Sequence, residues 1–135
     1  MGKMTVEPDS LEHLVLYQAD DDWLAIGSPN YYAGFFEDDA RLRKTLVLRA
    51  IRILAGAGYL QIGALKRLHP EDPDSLDWVQ WPGTIEEQLR HLDKVYTPES
   101  DDDDWYWACW LKITDAGRAI VEALPKPSVR FFRKW

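Results

Sequence analysis

Three histidines, one cysteine and 23 carboxylates are the groups in this chain able to carry acid–base, nucleophilic or metal chemistry. Their spacing does not assemble a catalyst. His13, His69 and His91 stand apart, with none of the paired H-x-x-H or C-x-x-C spacings that close a zinc site, and no glycine-rich turn is present to cradle phosphate. Cys109 and His91 are one nucleophile–base combination the sequence offers. Cys109 lies among tryptophans, however, where a thiol is expected to be inert packing. The run Asp101 to Asp104, with Glu99 before it, lacks the central glycine and closing glutamate of a calcium loop. No catalytic residue, metal or cofactor is therefore expected.

What the residues do offer is recognition. Asp101, Asp102, Asp103 and Asp104 concentrate negative charge beside Trp105, with Trp107 and Trp110 close behind, and tryptophan is enriched where binding energy concentrates. These four aspartates and Trp105 are the candidate contact for a protein partner with a basic surface. The plain alternative is a solvated acidic run followed by core tryptophans. A second candidate is cationic. On a helical wheel of residues 39–55, Leu42, Leu46, Val47, Ala50, Ile51, Ile53 and Leu54 share one side. Arg41, Lys44, Thr45, Leu48, Arg49 and Arg52 share the other, and only Arg43 is out of place. Arg41, Lys44, Thr45, Arg49 and Arg52 form an arc able to meet guanine edges and phosphates in a DNA major groove. Its alternative is a solvated face balanced by nearby acids. A third candidate is the tail of residues 125–135, where Lys126, Arg130, Arg133 and Lys134 interleave with Phe131, Phe132 and Trp135. Such a tail suits base stacking or partner docking, or it folds back on the acidic body.

Several elements must position these groups. Pro8-Asp9-Ser10 opens a helix over residues 10–18, where Leu11, Leu14 and Val15 give the stripe and Asp20 to Asp22 the end. Trp23 to Ile26 reads as a short extended piece, and Pro29 opens a short helix through Ala33. Asp38 and Asp39 complement the start of the long helix, with Glu37→Arg41 and Asp39→Arg43 at ion-pair spacing. Gly56-Ala57-Gly58 stops it. Tyr59 to Leu65 is a strand, and an excursion over residues 66–104 follows from the turn-rich Pro70 to Asp74. Within it, Thr84 and Glu87 form a T-x-x-E capping box for a helix carrying Ile85, Leu89, Leu92 and Tyr96. Trp105 to Thr114 alternates as a second strand, and Thr114 caps a last helix that Pro125 ends.

The net charge of −7 conceals a division. Residues 38–70 hold seven basic side chains against two acidic, whereas residues 71–104 hold two basic against twelve acidic. An acidic chain loses the long-range attraction to phosphate that supports non-specific nucleic-acid binding. At 135 residues with 46% hydrophobic content, one core is expected to suffice without disulfides or metals. Cys109 has no partner for an internal bridge. Met1 to Pro8 lacks a signal peptide's apolar run, Val6 breaks the myristoylation pattern, and no stretch suits a bilayer. The expected location is the cytoplasm, without membrane association.

The order helix, short helix, amphipathic helix, Gly56-Ala57-Gly58-Tyr59, strand, excursion, strand, and then Leu111-Lys112-Ile113-Thr114-Asp115-Ala116-Gly117-Arg118 resembles the winged-helix domains of bacterial MarR- and PadR-type regulators. That resemblance covers residues 10–124. It implies an α+β fold: a winged-helix-like helical domain over residues 1–124, with a small antiparallel hairpin and a helical insertion in its wing at 66–104. The segment Trp81-Pro82-Gly83-Thr84-Ile85-Glu86-Glu87 before the T-x-x-G-R turn is also similar to small acidic proteins of actinobacteria. Two functions follow as expectations. One is a non-catalytic protein-binding module of the immunity, antitoxin-like or inhibitory kind. The other is a transcription regulator that forms a homodimer and sets the helix over 39–55 into DNA. The enlarged acidic wing favours the first.

Overall fold

A computed structural model describes residues 6–132, which fold as an α+β structure of five helices and one four-stranded antiparallel sheet. Helix α1, Leu11–Asp21, starts where Ser10 Oγ accepts the His13 N–H at 3.1 Å. It runs one turn further than the aspartates suggested. Asp20 lies inside it, within 3.3 Å of Arg118 Nε, and the chain leaves only at Asp22, whose carboxylate accepts the Trp23 N–H. Strand β1, Leu24–Ala25, leads into α2, Gly27–Ala33.

Helix α3, Ala40–Gly56, is capped by the Asp39 carboxylate, which accepts the N–H groups of Arg41 and Leu42 at 2.9 and 3.1 Å. That role corrects the two ion pairs expected across the helix start. Asp39 is spent on the backbone, Glu37 meets Arg43 through its carbonyl, and Arg41 turns to Glu99. Gly58, with φ of +81°, takes the left-handed conformation that turns α3 into the next strand.

The sheet order is β1-β4-β2-β3, with β2 at Leu60–Arg67, β3 at Leu76–Gln80 and β4 at Trp110–Ile113. β2 and β4 pair with Leu60 opposite Ile113 and Gly63 opposite Trp110, and β1 sets Leu24 opposite Leu111. Leu60, Ile62, Leu111 and Ile113 alternate onto the inner face and bury against Val15, Leu16, Val47, Ile51 and Leu54 of the helices. Each such side chain contributes about 1.5–3 kcal/mol of transfer free energy.

Two departures from the sequence pattern concern the excursion. The strand expected from Trp105 to Thr114 is confined to its last part, because Asp104–Trp107 forms a 3-10 turn. Asp102 Oδ1 takes the Asp104 N–H at 2.6 Å and the Asp103 carbonyl takes that of Tyr106, so local bonds replace the ladder. The Tyr106 ring then lies flat on the Gly27 backbone, where a Cβ would come within 2.0 Å of it. The excursion also contributes β3, which pairs with β2 from Gly63 opposite Gln80 to Arg67 opposite Leu76. Its alternation, Leu76 to Trp81, lies inside a segment dominated by turn residues.

Helix α4, Ile85–Val95, carries the anticipated capping box: Thr84 Oγ1 accepts from Glu87 N, and Glu87 Oε1 from Thr84 N, both at 3.1 Å. Helix α5, Asp115–Ala123, begins at Thr114, whose hydroxyl accepts the Gly117 N–H and donates to the Gly58 carbonyl. Beyond it, Phe131 is buried with its ring 5.1 Å from Phe35, and the Ser128 N–H donates to Asp9 Oδ1 at 2.7 Å. Arg133, Lys134 and Trp135 of the tail lie outside the described residues. No described helix is long and apolar enough to cross a membrane.

Candidate functional site

Two residues of the cationic arc of α3, Lys44 and Arg52, reach α4. Arg52 pairs with Glu86, and Lys44 Nζ lies 3.0 Å from Asp93 Oδ1 while also donating to the Asp93 carbonyl at 2.8 Å. Arg41 reaches Glu99 at 3.3 Å. Thr45 Oγ1 is turned onto the Arg41 carbonyl. Of the four cations in the arc, Arg49 alone has no carboxylate partner among the described residues, and it is exposed. Leu48, on the polar side of the wheel, is half-buried against the core, whereas Leu42 on the apolar side is 50% exposed. The helix is thus covered on two sides.

Burial rather than charge holds α4 in place. Leu89 and Leu92 are buried, Tyr96 closes the helix end with no exposure, and Gln88 Nε2 donates to the Trp81 carbonyl at 2.7 Å. Burial of three such side chains outweighs surface ion pairs worth about 0.2–1 kcal/mol each.

The acidic patch is arranged differently. Asp101, Asp102, Asp103 and Asp104 are all exposed, and none meets a cation among the described residues. Trp105, singled out with them, turns inward: its ring lies 5.6 Å from that of Tyr96, and its indole nitrogen is buried without an acceptor. Trp107 takes the outward position, 60% exposed, with its ring centroid 4.5 Å from Tyr106 and 5.7 Å from Trp110 in a nearly parallel stack. Trp78 extends this surface. Its indole N–H donates to the Trp110 carbonyl at 2.9 Å, crossing the space left by the missing side chain of Gly63. Lys112 Nζ sits 5.3 Å from the Trp78 ring centroid, so the surface already carries one cation on an aromatic face. The signal for Trp78 was the strand alternation that the turn residues masked.

The nucleophile–base combination does not meet. Cys109 is fully buried and burial pushes its thiol up to about 12, so it stays protonated near neutrality. His91 is exposed, 4.4 Å from the Trp81 ring. His13 is buried at the start of α1 with Nδ1 accepting the Asp9 N–H at 2.9 Å, and burial lowers its pKa. No cluster of three metal-ligating side chains occurs among the described residues. No protein-family description, curated protein or solved structure matches this chain.

Proposed function

We propose that this chain is a non-catalytic, winged-helix-like module that binds a protein partner through Asp101 to Asp104 and the neighbouring Trp107. The layout supports that fold reading: β1 lies between α1 and α2, α3 runs directly into β2, and β4 sits between β1 and β2. The observation that carries the function is an asymmetry of charge. Three of the five cations of α3, Arg41, Lys44 and Arg52, are answered by Glu99, Asp93 and Glu86, whereas none of the four aspartates meets a cation among the described residues. Unpaired exposed charge of one sign steers encounter with a surface of the opposite sign, and an exposed tryptophan beside it offers the apolar anchor.

The second reading, a DNA-binding regulator using α3, keeps one support in the unpaired Arg49. It requires a duplex to compete with Glu99, Asp93 and Glu86 for Arg41, Lys44 and Arg52. It also requires phosphate to approach the β2–β3 hairpin tip, where Glu71, Asp72 and Asp74 are exposed. Both features oppose a polyanion.

The test is a pull-down from native lysate, read for protein and nucleic acid together, with three baits. The proposal expects a protein captured by the parent chain and by Arg49→Ala, but lost when Asp101 to Asp104 are all replaced by Ser. Nucleic acid captured by the parent and lost with Arg49→Ala supports the regulator instead.

A further inference from the structure

We propose that a cavity between α2 and α3 binds a small organic carboxylate on Arg43. The cavity is about 400 Å³, within the range that accommodates small ligands, and is lined by Asn30, Tyr31, Gly34, Phe35 and Arg43. Its walls are the Tyr31 and Phe35 rings, edge to face at 5.9 Å. Arg43 is half-buried, yet no carboxylate lies within ion-pair distance of it among the described residues. Its only hydrogen bond there is a long one, from Nη1 to the Glu37 carbonyl at 3.5 Å, and its Nε is buried with no acceptor among the described residues.

A guanidinium removed from water without an anion is costly, and five N–H donors in a planar fork match a carboxylate in particular. Asn30 adds a donor of the same kind. Its Oδ1 accepts the Tyr96 hydroxyl at 2.6 Å, which fixes the amide and leaves its NH2 for a second acceptor. Arg43 and Asn30 therefore offer N–H donors beside aromatic carbon, with the Tyr31 hydroxyl able to donate as well. The set fits a monoanion attached to an apolar body of about one ring, and neither a cation nor a polyphosphate. This site is separate from the aspartate surface and stands or falls independently of it.

The experiment is a titration of the full chain with phenylacetate, followed through the backbone amide resonances of Tyr31, Gly34 and Phe35. Phenylacetamide serves as the uncharged isostere. The expected result is saturable binding of the acid, at least tenfold weaker for the amide and for Arg43→Gln, and unchanged for Arg49→Gln. Should Arg43→Gln fail to fold, Tyr31→Ala removes an exposed wall and is expected to weaken binding severalfold. Equal affinity for acid and amide, an unchanged Arg43→Gln, or no saturation below about 10 mM overturns the proposal.

Discussion

His13 shows how one side chain couples acidity to folding. Its ring is buried, its Nδ1 accepts the Asp9 N–H, and burial holds its folded pKa below the ordinary 6.5. A group that is neutral when folded and protonates more easily when unfolded stabilises the fold fully above pH 6.5. That contribution is lost as pH falls through the lowered folded value. The melting temperature of the parent chain is therefore expected to drop on acidification from pH 6.5 more steeply than that of His13→Gln. Parallel curves for the two chains contradict the assignment. Gly63 is a second informative position, because a Cβ there would lie 2.3 Å from the Val79 carbonyl oxygen and 2.7 Å from the Trp78 ring. Gly63→Ala is expected to cost about 1–3 kcal/mol in denaturant unfolding and to alter tryptophan fluorescence as Trp78 moves. The roles of these residues were legible to different degrees. A T-x-x-E box announces itself by chemistry and spacing, and Thr84 with Glu87 forms it. Trp105 and Trp107 are the same residue type two positions apart, and only the 3-10 turn between them decides which faces water.

Helix α4 determines what α3 can do. Its cap is local, so Thr84→Ala is expected to cost about 1 kcal/mol. Its seat is hydrophobic, so Leu92→Ala is expected to cost about 2–5 kcal/mol. Arg52→Ala, which removes only an exposed pair, is expected to cost under about 1 kcal/mol. Urea melts of the three variants check that ranking, and a larger loss for Arg52→Ala than for Leu92→Ala reverses the account of what holds α4. Periodicity and capping located four of the five helices, Pro29 alone pointed to the short α2, and the pairing of β2 with β4 follows from two apolar segments on either side of the excursion. The strand β3 was hidden because its five residues sit between two turn-rich stretches. The contact of α4 with α3 was hidden for a different reason. A wheel separates apolar from charged residues on one helix, but it does not say whether the charged side meets solvent or another helix of opposite charge. Leu48 on that side was the one residue hinting that it is covered.

The distribution of charge over the fold separates the two functional readings. Glu86, Asp93 and Glu99 answer three of the five cations of α3, and the acidic excess behind the net charge of −7 lies in surfaces such as the β2–β3 tip and the aspartate run. An aromatic row of Trp107, Trp110 and Trp78 flanks that run across the outer face of the sheet. On the proposed function, such a surface is expected to attract cationic polypeptide and repel phosphate, with the attraction weakening as salt rises. The most direct test is a pair of titrations of isotope-labelled protein, one with an arginine-rich peptide and one with a DNA duplex, at matched low salt. Shifts confined to the backbone amides of residues 101–107 and the Trp107 indole with the peptide, and none along α3 with the duplex, are the predicted result. Saturable shifts at Thr45, Arg49 and Arg52 with the duplex, while the peptide leaves residues 101–107 unmoved, contradict it.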